Sequence, residues 1–254
     1  MANDKRKREE TPVSDELLIG RNPIAQALSS GRPIIKIMVA KGQTTGPAVE
    51  IAAKAKAAGI PVQTVERKKL DFMTSGAAHQ GVVALCAIKE YATIDDILKV
   101  AEERGEAPFV ILLDEIEDPH NLGAIVRSAE CAGAHGVIIK KRHAAGLTYT
   151  AYKAAAGALE YVPVARVNNL SDAIEQLKEK NIWVYGADMD GEDYCRTDFS
   201  GGVGLVIGNE GKGISRLVRE KCDVIVSLPL KGRINSLNAS VAAGILMYKI
   251  AEKR

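Results

Sequence analysis

The stretch Leu205-Val-Ile-Gly-Asn-Glu-Gly-Lys-Gly213 points most directly to the fold class of this chain. A short apolar run leads straight into a loop rich in glycine, the pattern of a buried strand that ends in a ligand-binding loop of an α/β protein. Two further segments, 114–127 and 228–240, have the same form. Because the carboxyl ends of parallel strands meet at one edge of a sheet, the three loops are predicted to build one ligand site.

Residues 106–254 alternate apolar runs with helical patterns in a regular order. Strands are predicted over Phe109–Leu113, Gly136–Lys140, 162–167, 182–187, 204–207 and Val224–Ser227. Helices are predicted over 122–132, 170–180, 214–221 and Ala239–Ala251. Strands that are apolar throughout and alternate with helices indicate a parallel sheet covered on both faces.

A shorter α/β pattern occupies residues 16–91. Its helices are predicted over 23–28 and 49–58, and its strands over 34–39, Val62–Val65 and 82–87. The stretch 1–15 is charged and lacks an apolar pattern, so a disordered tail is predicted there. Residues 92–105 are acidic and are predicted to link the two domains. A chain of 254 residues has room for a small domain at 16–91 and a larger one at 106–254.

The composition is that of an ordinary globular protein, with 46% hydrophobic and 26% charged residues. No apolar run approaches the roughly 18 residues that cross a bilayer, and the charged N-terminus does not resemble a secretory signal. The four cysteines stand far apart without a Cys-x-x-Cys pair, so neither a zinc site nor a disulfide framework is expected. These patterns predict a cytoplasmic protein without a metal ion or a membrane span.

Basic charge is concentrated in the N-terminal third of the chain. Residues 16–91 carry ten lysines and arginines against five acidic residues, whereas 106–254 carry eighteen against nineteen. A local excess of +5 is suited to contact with phosphates and indicates nucleic-acid binding. A solvated surface with a few additional lysines explains the same count, and charge alone leaves both interpretations open.

Glycine-rich loops suggest phosphate binding, but the established phosphate motifs do not fit. A P-loop requires Gly-Lys-Ser/Thr, and here Gly211 and Lys212 are followed by Gly213. The dinucleotide fingerprint Gly-x-Gly-x-x-Gly fails after Gly208. The acidic stretch 188–193 is similar to a calcium loop, but its glycine comes two positions too early, so a solvated turn is predicted there.

What remains is a set of loops suited to an adenosine-like ligand held mainly by backbone groups. Unusual backbone angles and close ligand contact are permitted at Gly208, Gly211, Gly213 and Gly232. Apolar walls for a base can come from Leu228 and Leu237. Each glycine taken alone is more simply a turn, whereas three such loops in one α/β unit favour a site.

Asn121 and Arg127 bracket the start of a predicted helix. Asn121 can cap that helix and still present its amide to the site. Arg127 can bind a phosphate with its fork of donors, or instead form a surface ion pair with Glu130 or Asp118. The sequence contains no Ser/His/Asp arrangement at catalytic spacing, and no catalytic partner is evident for His120, His135 or His143.

Together the three loops resemble the three sequence motifs of the SpoU (TrmH) branch of the SPOUT RNA methyltransferases. The first motif is similar to residues 121–127, the second to 207–214 and the third to 228–243. The resemblance extends to 20–28 and 79–84, which are similar to the N-terminal substrate-binding domain of the RlmB-type enzymes. Those enzymes methylate the ribose of a guanosine in 23S ribosomal RNA.

This resemblance implies a deep trefoil knot in the C-terminal α/β domain and a small N-terminal α/β domain that binds RNA. It also implies S-adenosyl-L-methionine as the cofactor, bound in the knotted loops of a homodimer. By the same resemblance, the cofactor-binding residues are Ile207, Gly208, Leu228, Leu230, Leu237 and Asn238. The residues implied in catalysis are Arg127, Asn121, Glu210, Asn238 and Ser240.

The implied reaction is methyl transfer to a ribose 2′-hydroxyl of ribosomal RNA, with a guanosine of 23S RNA as the expected target. Arg127 is an unsuitable base, because a guanidinium stays protonated in proteins. It is expected instead to clamp a neighbouring phosphate and to stabilise the emerging alkoxide. Asn121 is expected to orient Arg127 or the ribose, and Glu210 to brace its own loop or the partner subunit.

Other interpretations of the same residues remain open. Asn238 and Ser240 can bind the cofactor or the nucleotide, or Asn238 can merely cap the last helix. A transfer-RNA 2′-O-methyltransferase of the same fold is one alternative to the ribosomal enzyme. A non-catalytic RNA-binding assembly factor is another.

Overall fold

The computed structural model describes residues 17–32, 34–42, 46–86, 90–233, 236–252 and 254. The tail predicted over 1–15 lies outside these described residues. The chain divides into two compact units, Met1–Lys89 and Glu90–Arg254. Both units mix helices and strands, which confirms the α/β class, and each is described by itself.

The described residues of the first unit form a four-stranded sheet with three helices. Its elements are β1 (Leu17–Ile19), α1 (Arg21–Ser30), β2 (Ile34–Ala40), α2 (Pro47–Ala57), β3 (Val62–Val65), α3 (Arg67–Met73) and β4 (Val82–Cys86). The strand order is β1-β4-β2-β3, with β2 and β3 parallel and β4 antiparallel to both of its neighbours. The short elements β1 and α3 were not predicted, because three and seven residues are too few to show a periodic apolar pattern.

The strand registers place the ends of four strands at one edge of this sheet, the edge that lies across the strand direction. Ile19 pairs with Val83, at the end of β1 and the start of β4. Ala40 pairs with Val65, at the ends of β2 and β3. Since Val39 pairs with Val82, the carboxyl ends of β1, β2 and β3 and the amino end of β4 all meet at this edge.

The second unit contains a six-stranded, fully parallel sheet, as predicted. Its elements are α4 (Ile94–Arg104), β5 (Phe109–Leu113), α5 (Pro119–Cys131), β6 (Gly136–Lys140), α6 (Tyr149–Ala155), β7 (Val164–Val167), α7 (Leu170–Glu179), β8 (Ile182–Asp193), β9 (Gly202–Ile207), α8 (Arg216–Lys221), β10 (Val224–Ser227) and α9 (Ala239–Ala251). The strand order is β10-β8-β9-β5-β6-β7. None of the described helices is long and apolar enough to cross a membrane.

Helices cover both faces of this sheet, which explains why its central strands are apolar throughout. All five residues of β5 are buried. One face packs in a single apolar cluster with side chains from α4, α7 and α8, among them Ile97, Ile174 and Val218. On the other face, α5 packs against both α6 and α9. A parallel sheet buried on two sides is the arrangement that continuous apolar strands favour.

The segment 92–105, for which the sequence predicts a linker, instead folds as part of the second unit. It contains α4, whose N-terminus is closed by a capping box between Thr93 and Asp96. Ile94 and Ile97 belong to the apolar cluster of the parallel sheet. A Cβ placed on Gly136 of β6 would lie 2.5 Å from Ile97, so helix and strand are in close contact. The sequence predicted a linker because the outer face of α4 is acidic, and this composition gave no sign of the packing on its inner face.

The stretch 188–193, for which the sequence predicts a solvated turn, is instead the second half of β8. Glu192 and Asp193 pair with Val226 and Ser227 of β10. A Cβ on Gly191 would come within 2.5 Å of the Ile225 carbonyl oxygen, so glycine is required by close strand packing. No group of three or more metal-binding side chains occurs among the described residues.

Candidate functional site

A pocket of about 260 Å³ lies at the carboxyl ends of β9 and β10 and beside the middle of β8. Two of the three predicted loops build it, the one after β9 and the one after β10. The residues lining it include Ile207, Gly208, Glu210, Leu228, Leu230 and Leu237. Five of the six residues predicted to bind the cofactor therefore surround one cavity, and the sixth, Asn238, follows directly on Leu237.

The loop after β9 closes tightly on itself. Asn209 and Gly213 exchange two backbone hydrogen bonds of 3.1 and 2.8 Å. A Cβ on Gly208 would lie 2.3 Å from the carbonyl carbon of Gly213, so a larger residue at position 208 cannot be accommodated without moving the backbone. The Asn209 side chain accepts a hydrogen bond from the Gly211 amide (2.9 Å) and donates one to the Glu115 carbonyl oxygen (3.0 Å). The loop is thus held in one shape.

A buried carboxylate anchors this loop to the sheet. Asp114, at the end of β5, has no exposed surface, and its Oδ2 accepts a hydrogen bond of 2.7 Å from the Ser215 amide. Its Oδ1 lies 3.3 Å from the Lys140 ammonium, which also contacts Glu115 at 3.1 Å. Partial burial lowers the pKa of Lys140, but the two carboxylates outweigh this and raise that pKa above its ordinary value. A charged lysine therefore balances the buried acid.

The opposite wall of the pocket comes from the middle of β8. Asp188 and Met189 line the cavity, and the Met189 side chain is 66% exposed. The Arg219 guanidinium on α8 binds Asp188 at 2.5 Å and Asp190 at 2.8 Å. This fork holds the wall in place from outside the cavity.

A directed chain of hydrogen bonds joins four of the five predicted catalytic residues. Asn121 Nδ2 donates to Glu210 Oε1, and Asn121 Oδ1 accepts from Asn238 Nδ2 at 3.0 Å. Asn238 Oδ1 in turn accepts from the Ser240 amide at 3.0 Å and from the Ser240 hydroxyl at 2.6 Å. The chain connects α5, the loop after β9 and the start of α9. Residues from three distant parts of the sequence are therefore brought together beside the pocket.

Two capping predictions have different outcomes. Asn121 does not cap its helix, because α5 begins earlier, at Pro119, and its N-cap is Asp118, which accepts from the His120 amide. Proline at the first helical position explains this earlier start. Asn238 does cap α9, and its Nδ2 also donates to Asn121 Oδ1, so this residue does more than cap the helix.

Arg127 lies in the third turn of α5 and is exposed. It does not line the pocket. It makes no hydrogen bond or ion pair with any other described residue, so the ion pair with Glu130 or Asp118 that the sequence allows is not formed. Its five donors are accordingly available for an anion from outside the chain.

His135, which lacked a catalytic partner in the sequence, has a structural role. The ring is fully buried, with Nδ1 accepting from the Phe109 amide at 2.9 Å and Nε2 lying 2.9 Å from Glu106 Oε2.

The sequence motifs assigned no role to Asp114, Asn209 and Arg219, the three residues whose side chains hold the pocket walls in place. Asp114 could have been found as an acid directly after five apolar residues, but no local pattern marks Arg219.

The pocket suits an adenosyl group. Leu230 and Leu237 are 39% and 37% exposed, and both line the cavity, so a flat apolar ring placed between them would remove their surface from water. The glycine-rich backbone at 208–213 leaves room for close polar contact. These features define a class: an α/β protein that binds a nucleoside-like cofactor at the carboxyl edge of a parallel sheet.

The chain belongs to the SpoU rRNA methylase family, whose model matches residues 108–248. A second model, for RNA 2′-O ribose methyltransferase substrate binding, matches residues 17–92. The chain is 51% identical to the TrmH family tRNA/rRNA methyltransferase YacO of Bacillus subtilis (strain 168) over 240 residues, 94% of this chain and 96% of the relative. It is 45% identical to a TrmH family tRNA/rRNA methyltransferase of Staphylococcus aureus (strain MSSA476) over 243 residues, 95% and 98% of the two chains.

Solved structures agree with this assignment. The SpoU methyltransferase AviRb from Streptomyces viridochromogenes, in complex with the cofactor AdoMet, matches with a TM-score of 0.78 and 26% identity over 93% of this chain and 89% of AviRb. An AdoMet-bound rRNA methyltransferase from Sinorhizobium meliloti matches with a TM-score of 0.77 and 25% identity over 93% and 87% of the two chains. The chain is an RNA methyltransferase that uses S-adenosyl-L-methionine.

Proposed function

We propose that this enzyme methylates a ribose 2′-hydroxyl of ribosomal RNA, with a guanosine of 23S RNA as the target. The observation that carries the proposal is the nucleoside-sized pocket with the Asn121–Glu210–Asn238 chain beside it. The match of residues 17–92 to a 2′-O-ribose substrate-binding model supports ribose as the acceptor. The excess of +5 in residues 16–91 supports a large RNA as the substrate.

The residues proposed to hold the cofactor are Ile207, Gly208, Leu228, Leu230, Leu237 and Asn238. When bound, S-adenosyl-L-methionine supplies an electrophilic methyl group on a sulfonium leaving group. The main tasks left to the chain are to align the ribose hydroxyl and to stabilise the negative charge that develops on its oxygen. We further propose that the loops of this pocket form the trefoil knot implied by the family resemblance.

Arg127 is the residue proposed to meet the RNA at the reacting nucleotide. Its unpaired, exposed guanidinium can bind the neighbouring phosphate and stabilise the alkoxide as the hydroxyl loses its proton. Because a guanidinium does not act as a base, that proton leaves to water or to the substrate phosphate. Asn121, held between Glu210 and Asn238, joins α5 to the loop after β9 and to the start of α9, and Ser240 fixes Asn238.

The enzyme is further proposed to act as a homodimer in the cytoplasm, where its RNA substrate is found. Val241, Ile245 and Tyr248 are 49%, 38% and 56% exposed and stand one turn apart on α9. They form an apolar stripe on the helix that packs against α5, which carries Arg127. A second copy covering this stripe would bury it close to the proposed catalytic arginine.

Two alternatives compete with this proposal. The relatives are named tRNA/rRNA methyltransferases, which favours a transfer RNA as strongly as a ribosomal one. A non-catalytic RNA-binding assembly factor is less well supported, because the pocket and the hydrogen-bonded chain around Asn121 are both intact.

Methyl transfer to purified RNA tests the proposal. The full chain is incubated with tritium-labelled S-adenosyl-L-methionine and either 23S ribosomal RNA or total transfer RNA, and modified riboses are mapped by their resistance to alkaline cleavage. Label in one guanosine of 23S RNA is the expected result. Label confined to transfer RNA would replace the proposed substrate, and cofactor binding without label in either RNA would favour the assembly factor.

A further inference from the structure

One end of the N-terminal sheet carries an aromatic side chain and several cations that the proposed reaction does not use. Phe72, on α3, is 84% exposed, whereas the other two phenylalanines, Phe109 and Phe199, are fully buried. A single exposed apolar side chain is common in proteins and has little meaning alone. The surroundings of Phe72 make it informative.

The outward face of α3 combines this ring with positive charge. Leu70 points into the core with no exposed surface. Lys68 and Phe72 lie one turn apart on the opposite side of the helix, and Lys69 is next to them. Because long side chains on a helix lean toward its N-terminus, the Phe72 ring is directed toward the turn that carries the two lysines.

Further cations lie at the same edge of the sheet. Lys41 follows β2, and its backbone amide donates to the Val65 carbonyl oxygen at 2.7 Å, directly before α3. Arg21 follows β1, and its Nε donates to the Gln80 carbonyl oxygen at 3.3 Å, directly before β4. With Arg67, Lys68 and Lys69 they place five cations at this edge. Only two acids of the described residues lie among them, Glu66, which pairs with Lys41 at 3.2 Å, and Asp71, which contacts His79, so the edge keeps an excess of positive charge.

The loop between α3 and β4 is held in a defined shape beside this surface. His79 is 2% exposed, with Nε2 lying 2.9 Å from Asp71 Oδ1 and Nδ1 accepting from the Gly81 amide at 3.0 Å. Ser75 and Gln80 have φ angles of 49° and 52°, in the left-handed region that ordinary residues avoid. Backbone strain maintained by such bonds is typical of binding sites. The loop beside this surface is therefore held in one shape.

We propose that Phe72 is a stacking platform for an unpaired base of the RNA substrate, with Arg67, Lys68 and Lys69 binding the flanking phosphates. The inference rests on the proposed function only in taking RNA as the substrate. Every base offers a face to an aromatic ring, and single-stranded RNA brings a phosphate for each base. A protein partner fits less well, because lysine is depleted at the centre of protein interfaces. A membrane surface fits less well because a single ring buries little apolar area.

Substitutions at Phe72 separate stacking from simple hydrophobic contact. Affinity of the full chain is measured by fluorescence anisotropy for a labelled RNA hairpin with an unpaired loop, and for a fully paired RNA with the same number of phosphates. Phe72→Ala and Phe72→Leu are expected to weaken hairpin binding about 10-fold, and Phe72→Trp to retain it. Affinity for the paired RNA should stay unchanged in all three. Since Phe72 is exposed, none of these changes should disturb folding.

A pair of lysine variants tests the phosphate contacts. The double change Lys68→Ala, Lys69→Ala is expected to lower the slope of log Kd against log salt concentration by about 1 to 2. The matched control is Lys54→Ala, Lys56→Ala, which removes equal charge from the last turn of α2, where the chain approaches β3 from the opposite end of the sheet. The control should keep the wild-type slope. Equal slopes for both double variants would contradict the proposed phosphate contacts.

The outcomes also separate this inference from the proposed function. Wild-type hairpin affinity in Phe72→Ala and Phe72→Leu overturns the platform, even if the protein methylates RNA normally. A specific loss of hairpin binding supports the platform, even if wild-type protein transfers no methyl group. Binding to anionic phospholipid vesicles through Phe72, without binding to the hairpin, would overturn it in favour of a membrane surface. Cofactor affinity should be the same in every Phe72 variant.

Discussion

At the scale of single residues, the proposed chemistry depends most on Arg127, because it is exposed and unpaired among the described residues. Replacement by lysine keeps the charge but removes the planar fork of donors. Arg127→Lys is therefore expected to lower the single-turnover rate of methyl transfer about 10²- to 10³-fold, by an equal factor at every pH. Cofactor affinity should not change, since Arg127 does not line the pocket. A shifted pH midpoint of the rate would show that residue 127 acts as a base.

His135 makes a second prediction, on stability. Burial lowers the pKa of its imidazole below the ordinary value of 6.5, although the Glu106 carboxylate opposes this. Below pH 6.5 the unfolded chain binds more protons at this residue than the folded chain does, so the free energy of unfolding should fall as pH falls. Above pH 6.5 the imidazole is neutral in both states, and the stabilisation from the buried His135 is fully present.

Urea unfolding between pH 5 and pH 8 measures this dependence. His135→Asn keeps an acceptor for the Phe109 amide but does not titrate, so its stability should fall less steeply on the acid side. His120→Asn, at an exposed position of α5, is the matched control and should follow the wild type. Identical acid slopes for His135→Asn and wild type would show that another group controls the dependence.

At the scale of elements, the loop after β9 is the part of the pocket with the least room for change. Gly208→Ala would place a Cβ 2.3 Å from the Gly213 backbone, so the loop must open and cofactor affinity should fall about 10-fold or more. Gly211→Ala, in the same loop, would meet its nearest neighbour at an ordinary 3.6 Å and should bind nearly as wild type. Calorimetric titration with S-adenosyl-L-methionine compares them. Equal affinities would place the cofactor outside this loop.

Elements also show where local patterns mislead. The strongly amphipathic α4 has acids at its first turn and on its outer face, so its composition resembles a linker, yet Ile94 and Ile97 complete the core. The extension of β8 contains polar residues and a glycine, but pairing with β10 makes it a strand. In both cases an element that is distant in sequence supplies the stabilising contacts. A prediction from a short stretch of sequence does not include that element.

At the scale of the whole molecule, the apolar stripe on α9 predicts self-association. Ile245→Asp places a carboxylate in the middle of the stripe, so the dimer dissociation constant should rise at least about 30-fold. Sedimentation velocity measures the change, and methyl transfer should be lost with it if the partner completes the site. Leu217→Asp is the matched control, because Leu217 on α8 is 62% exposed and lies outside the stripe. Dimers that persist in Ile245→Asp would rule out this interface.

The sequence by itself determined the α/β class, the parallel sheet and the loops that line the pocket, because apolar runs and glycine positions are local and need no partner to be recognised. It also pointed to the family, through three motifs that resemble those of the family. Only the tertiary structure decided that Asn121, Glu210 and Asn238 form one hydrogen-bonded chain. It alone placed Arg219 behind the pocket wall and Phe72 among cations at the sheet edge. Such contacts depend on how strands pair and helices pack, and these relations join residues far apart along the chain.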